Sequence, residues 1–259
     1  MVKQDKDILI LGGMGPVAAL GAEQALLEVV SQQGILKDQD YPSFTMAQHA
    51  FCIPDRTENW QAPKSIAKGA MYVLKRYAEL NILPHASSKR KIVWIPCNSF
   101  HMPNIWDEFE NMLVQEKLNG IYELVNMIEE TVQYMMKLGR KKVGLLSTNG
   151  TRMAQTYHDK LKAFDVFEVP EEEQQAVHDL IYGAHGIKTE LPINASVLSA
   201  LEGFVKNLSD RGAKAVILGC AALSLALPDN SFKGIELINP VKISARTVLN
   251  KAGWAINER

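Results

Sequence analysis

Short apolar runs recur along this chain, each closed by glycine or small polar residues and followed by a stretch of helical spacing. Ile8-Leu-Ile-Leu11 is the first, with charge before it and glycine after it, the pattern of a strand buried on both faces. Gly12-Gly-Met-Gly-Pro16 follows, and residues 17–32 are amphipathic with helical spacing. Pro16 suits a first helical position, where no N–H is needed. The same patterns predict strands over 42–50, 92–95, 121–125, 215–218 and 235–238. They predict helices over 65–80, 103–114, 126–138, 171–182, 194–211 and 241–251. Residues 141–151 repeat the opening unit of strand, polar loop and helix. Gly139 is a helix stop, because glycine takes left-handed geometry at little steric cost. The polar stretch 85–91 reads as a loop.

Strand–loop–helix units in series describe an α/β chain with mainly parallel sheets. The repeat divides it into two similar lobes. One is 1–119 plus a returning 235–259, and the other is 120–234.

Two segments stand out against this background. Lys91-Ile-Val-Trp-Ile-Pro-Cys97 and Lys214-Ala-Val-Ile-Leu-Gly-Cys220 both read Lys-x-Val-x-x-x-Cys, and their thiols are 123 residues apart (220 − 97). Each cysteine follows a strand-like run directly, and ligands of open α/β sheets bind outside the carboxyl ends of strands. A thiol between a strand end and a helix start meets unpaired backbone N–H groups, which favour thiolate. A single cysteine so placed is more often a packing residue. Two in matched positions point to two halves presenting two thiols to one cleft. Asn98 and Ser99 supply short polar groups beside Cys97, and His101 lies four residues on. Cys52 has no such context and reads as packing.

Composition narrows the function classes. With 259 residues, 47% hydrophobic and 22% charged, the chain can bury a sizeable core, and its net charge of −1 offers nothing to nucleic acid or an anionic membrane. No apolar run approaches the ~20 residues of a membrane span. Residues 1–7 lack a signal-peptide pattern, and three cysteines without framework spacing argue against a disulfide scaffold. A cytoplasmic chain with reduced thiols is expected, without nucleic-acid or membrane partners.

The remaining motifs leave alternatives open. Gly13-Met-Gly-Pro-Val-Ala18 fits only a loose dinucleotide fingerprint, and no acidic residue ends a second strand to hold a ribose. A small anion at the helix start stays open. Thr148-Asn-Gly-Thr151 is either a carboxylate loop or a plain N-cap. Arg56 and Lys188 are either solvated or partners of carboxylate groups. A metal site from Cys97, His101 and Cys220 lacks supporting spacing, so none is expected.

The motifs Gly12-Gly-Met-Gly-Pro16, Ile53-Pro-Asp-Arg-Thr57, Pro96-Cys-Asn-Ser99 with His101, Asn126-Met-Ile-Glu-Glu-Thr131, Gly144-Leu-Leu-Ser-Thr148 with Gly150-Thr151, and Leu218-Gly-Cys220 stand in this order. In this the chain resembles the cofactor-independent aspartate/glutamate racemases, nearly end to end. The resemblance implies two pseudo-symmetric three-layer α/β lobes with the active site in the cleft between them. It implies racemisation of aspartate or glutamate without pyridoxal phosphate or any other cofactor, in a homodimer. Cys97 and Cys220 match the two catalytic positions, one removing the Cα proton and the other delivering a proton to the opposite face. By the same match Asn98, Ser99, Thr148 and Thr151 hold the α-carboxylate and ammonium. Arg56 and Lys188 hold the side-chain carboxylate, and Met14 lines the site. The chain departs from the family at Gly219-Cys-Ala-Ala222, where Thr-Glu usually follows the cysteine. Ser99 stands for the usual threonine and Phe100 for a small residue. A non-catalytic amino-acid-binding protein, or a dicarboxylate isomerase or decarboxylase on this scaffold, is the alternative.

Overall fold

A computed structural model describes residues 4–80 and 90–256, so most of the loop expected over 85–91 lies outside the described residues. The opening unit forms as β1 (Ile8–Leu11), buried throughout, and α1 (Pro16–Ser31), which begins on its proline. Next come β2 (Phe44–Ala47), α2 (Pro63–Tyr77), β3 (Lys91–Trp94), α3 (Pro103–Gln115), β4 (Tyr122–Val125) and α4 (Met127–Leu138). The second half runs β5 (Lys142–Ser147), α5 (Asn149–Met153), β6 (Asp165–Glu168), α6 (Glu171–Tyr182), α7 (Ala195–Asp210) and β7 (Ala215–Gly219). It closes with α8 (Leu223–Ala226), β8 (Ser231–Phe232), β9 (Ile235–Ile238) and α9 (Pro240–Lys251).

The strands form two sheets, ordered β2-β1-β3-β4 and β6-β5-β7-β9-β8. All pairings are parallel except β8 on β9. Side chains alternate across each parallel strand, so each sheet feeds two cores. In the first sheet Leu9, Leu11 and Val93 face α2 and α3, while Ile8, Ile10, Ile92 and Trp94 face α1 and α9. In the second, Leu146, Val216 and Leu218 face α6 and α7, while Val143, Leu145, Ala215 and Ile217 face α4 and Tyr157. Each lobe is therefore three layers deep, as expected.

Strand pairing moves the boundaries that periodicity suggested at 119/120 and 234/235. Tyr122–Val125 pairs with β3 in the first sheet, and Ile235–Ile238 pairs with β7 in the second. The pattern shows a strand but not its partner. With β4 and β9 reassigned, the repeat becomes regular: β1, β2, β3 and β4 correspond to β5, β6, β7 and β9. Each last strand ends in an asparagine that caps the next helix. Asn126 Oδ1 accepts from the Ile128 and Glu129 N–H groups, and Asn239 Oδ1 from those of Val241 and Lys242.

The two capped helices exchange lobes. α4 leaves the first sheet and covers the second, whereas α9 leaves the second sheet and covers the first, and they pack on each other. Other differences are local. The strand expected over 42–50 is confined to Phe44–Ala47, and residues 50–52 turn as a 3-10 helix. β6, β8 and α8 carried no clear pattern. Gly139 takes φ 67° after α4, as a helix stop should. Among the described residues, no helix is long and apolar enough to cross a membrane.

The docking of α9 includes one polar contact in an apolar layer. Trp94, fully buried, donates from Nε1 to Ser244 Oγ at 2.9 Å. Ser244→Ala leaves that N–H without its acceptor, so a loss of about 1–3 kcal/mol in stability is expected by denaturant unfolding. A loss within a few tenths of a kcal/mol would show that this bond does not hold the helix.

Candidate active site

β3 and β7 run parallel to their neighbours and end at the same side of their sheets, each delivering a cysteine. Cys97 and Cys220 are both buried, both free of disulfides, and both line one pocket between the lobes. Met14, Asn98, Ser99, Thr148, Thr151 and Lys188 line it too, so eight of the nine residues singled out in the sequence converge there. It is a tight pocket, with a cavity volume of about 10 Å³. A larger groove of about 260 Å³ between α4 and α9 contains no thiol and none of these residues.

Arg56, the ninth, stands just behind the wall. It is 4% exposed, and its guanidinium donates to the carbonyls of Met14 (2.8 Å) and Pro54 (3.1 Å). Nε has no partner among the described residues. The loop carrying Arg56 lies on the glycine loop after β1. Gly12 N–H donates to Ala47 O, Gly13 N–H to Gln48 Oε1, and Gly13 has φ 83°. These two N–H groups hold the glycine loop against the segment after β2, and Met14 O in turn accepts from Arg56.

The two thiols are shifted in opposite directions. Burial pushes Cys97 up, but Arg56, Lys188, Ser99 and the Phe100 N–H together outweigh it and hold the thiol below its ordinary value. Ser99 Oγ lies 3.4 Å from Cys97 Sγ. Burial raises Cys220 as well, and there Lys188 and the backbone N–H groups after it do not compensate, while Cys97 opposes a second negative charge. The first lobe therefore presents the more acidic thiol and the second lobe the less acidic one.

Cys97 opens a 3-10 turn, Asn98–His101, and α3 begins only at Pro103. His101 is thus not one α-helical turn along. It is buried, with Nδ1 2.9 Å from Cys97 O and Nε2 accepting from Met127 N–H at 3.3 Å. Burial pushes its pKa down to about 4, against the pull of the Cys97 and Val125 backbone, so the ring is neutral. Both nitrogens are committed to backbone, which leaves neither for a metal. The ring ties the Cys97 carbonyl to the start of α4.

Thr148 is the N-cap of α5, its hydroxyl accepting from Thr151 N–H and lying 3.2 Å from Thr151 Oγ1. It serves as cap and pocket wall at once. Lys188 Nζ lies 3.7 Å from the centre of the Tyr182 ring, and Tyr182 also lines the pocket. The Tyr182 hydroxyl reaches Asp55 Oδ2 at 3.4 Å. Burial favours the neutral form of Asp55, but the Glu58 and Thr57 N–H groups, Arg56 and Lys188 keep its carboxyl below the usual range. Tyr182 and Asp55 went unnoticed in the sequence. Asp55 was visible only as the neighbour of Arg56, and Tyr182 only as the last residue of a helix.

The family departure splits into two. Ala221 lines the pocket, so the missing hydroxyl is a change in the wall. Ala222 is fully buried among apolar residues of the second lobe and does not line the pocket. Phe100 is also fully buried, in the first core against Trp106 and Phe109.

A family model described as Asp/Glu/Hydantoin racemase matches residues 11–248. The chain belongs to this family. Its members are isomerases, the class that the resemblance implied. Among solved structures, the chain is similar to an aspartate racemase from Picrophilus torridus (24% identity, TM-score 0.70, covering 97% of this chain and 96% of that one). It is also similar to an aspartate racemase homologue from Pyrococcus horikoshii (21%, 0.64, 96% and 100%) and a glutamate racemase isoform from Bacillus anthracis (16%, 0.61, 97% and 84%). At these identities the likeness is one of fold.

The opposite thiol shifts can be read by alkylation. A small alkylating reagent, followed by mass spectrometry across pH, is expected to modify Cys97 at lower pH than Cys220. Arg56→Met removes a cation that favours the thiolate, so less thiolate exists at a given pH and the Cys97 profile moves up. An unmoved profile would show that Arg56 does not set the acidity of Cys97.

Proposed function

We propose that this protein racemises a dicarboxylic amino acid, aspartate or glutamate, with Cys97 and Cys220 as opposed acid and base and no cofactor. The observation that carries the reading is two buried thiols, from matching strand ends of two lobes, in one small pocket and shifted in opposite directions. In one direction the Cys97 thiolate takes the Cα proton, breaking C–H and forming S–H. The Cys220 thiol then gives its proton to the opposite face, leaving Cys220 as thiolate and the inverted amino acid. The other enantiomer runs the same steps in reverse. Donors on both faces are what inversion requires.

Charge favours a dicarboxylate over an uncharged family substrate such as a hydantoin. Arg56 and Lys188 supply two cations at one side of the pocket, and Asp55 offsets only part of that charge. In this reading Lys188 takes the side-chain carboxylate with the Arg56 charge behind it, Asn98, Ser99, Thr148 and Thr151 hold the α-carboxylate and ammonium, and Met14 closes the wall. Ala221 favours a second reading, a non-catalytic amino-acid-binding protein, because a wall group that would touch substrate is absent.

Cα-deuterium uptake from D2O by L- and D-aspartate and L- and D-glutamate separates the two. Wild type is expected to exchange and invert, whereas Cys97→Ser and Cys220→Ser each lose roughly 10²–10⁴-fold in racemisation. Near-wild-type inversion by either variant would remove the two-thiol mechanism. Binding without deuterium uptake would favour the binding protein.

A further inference from the structure

Asn98 is 2% exposed, and its two amide ends are treated differently. Oδ1 accepts from the Tyr157 hydroxyl, whereas Nδ2 has no partner among the described residues. Asn98 lines the thiol pocket beside Cys97, and its amide nitrogen is the buried end left without a partner. Tyr157 comes from the other lobe. It is fully buried between the second sheet and α4, with Ile128, Leu161 and Ile217 in the same apolar layer.

A side-chain amide can turn over with almost no change in shape, so hydrogen bonding decides which end faces the pocket. The structure sets Oδ1, not Nδ2, against the Tyr157 hydroxyl. Thr131, the other hydroxyl near Tyr157, donates to the Met127 carbonyl at 2.7 Å. Burial, with the Cys220 sulfur nearby, keeps the phenol protonated and therefore a donor.

We propose that Tyr157 is a positioning residue for Asn98. Its hydroxyl occupies the amide oxygen and so turns the N–H end into the pocket, which makes this wall a site for a carboxylate oxygen. A wall that offers only N–H has nothing for an ammonium. The α-carboxylate therefore sits at Asn98, and the ammonium lies elsewhere. The bond also crosses the floor of the cleft, so the first lobe's thiol loop is set by a side chain of the second.

The test is calorimetric binding to the full chain, with L-aspartate and L-glutamate as probes. β-Alanine and 4-aminobutyrate, which lack the α-carboxylate, are the controls. Tyr157→Phe and Asn98→Ala are each expected to weaken binding of the better dicarboxylic amino acid roughly tenfold, with the double variant no worse than Asn98→Ala. Neither changes the weaker binding of the controls. Additive losses would show that Tyr157 acts independently of Asn98 and overturn the proposal. Asn98→Asp gives a second line that does not depend on how Tyr157→Phe folds. It is isosteric and still accepts from Tyr157, but it sets an anion against the α-carboxylate, so binding is expected to fall more than a hundredfold. Retained or tighter binding would mean that an ammonium faces this position, and wild type that binds neither amino acid also overturns the assignment. The inference rests on the racemase reading for the ligand class, yet calorimetry needs no turnover. Binding without deuterium exchange removes the racemase and leaves Tyr157 in place, whereas exchange with additive losses does the reverse.

Discussion

The cost of placing a negative charge on a sulfur with almost no water around it governs this site. Burial alone would hold both thiols neutral, and a pocket with two neutral thiols has no base. The asymmetry comes from cations. Lys188 acts on both sulfurs, but Arg56 acts chiefly on Cys97, where Ser99 and a backbone N–H add to it. Charge on Cys97 also opposes charge on Cys220, so the two thiols differ in acidity. That difference arises from a symmetric scaffold carrying an asymmetric set of charges.

The scaffold can hold two sulfurs close because the lobes are interlocked. The exchange of α4 and α9 makes each lobe's outer layer part of the other's chain, and the asparagine caps fix where both crossings begin. Close approach is then possible where side chains are absent. A Cβ on Gly150 would lie 2.6 Å from Thr57 Oγ1, and one on Gly21 2.8 Å from Ser224 Oγ. Both pairs link opposite lobes, and at Gly150 the Thr57 backbone Cα also lies only 3.0 Å away, so a larger residue there would push the lobes apart.

Much of this was legible in the sequence, for a physical reason. Strands buried on both faces appear as continuous apolar runs, and the chemistry of α/β folds sits at their carboxyl ends, so Cys97, Asn98, Ser99, Thr148 and Cys220 follow strand-like segments. What stayed hidden depends on pairing and on side chains far away in the chain. Tyr122–Val125 and Ile235–Ile238 were recognisable as strands, but no local pattern tells a strand which sheet it joins. Asp165–Glu168 lies at a sheet edge with little burial, so its pattern is weak. Tyr157 stands in a turn without a motif, and its role exists only through Asn98, 59 residues away.

The Gly219-Cys-Ala-Ala222 departure takes on a different meaning once burial is known. A carboxylate at position 222 would sit in the apolar layer shared by Val177, Leu201 and Leu218, where an unpaired charge is costly. Alanine there fits this chain's own core, so one of the two changes belongs to packing. The other does not. Ala221 opens the wall beside Cys220 and leaves that thiol with backbone N–H groups and Lys188 as its stabilising neighbours. If catalysis is slow in one direction, the physical reason lies on this side of the substrate, where the charge must be held when the proton leaves Cys220.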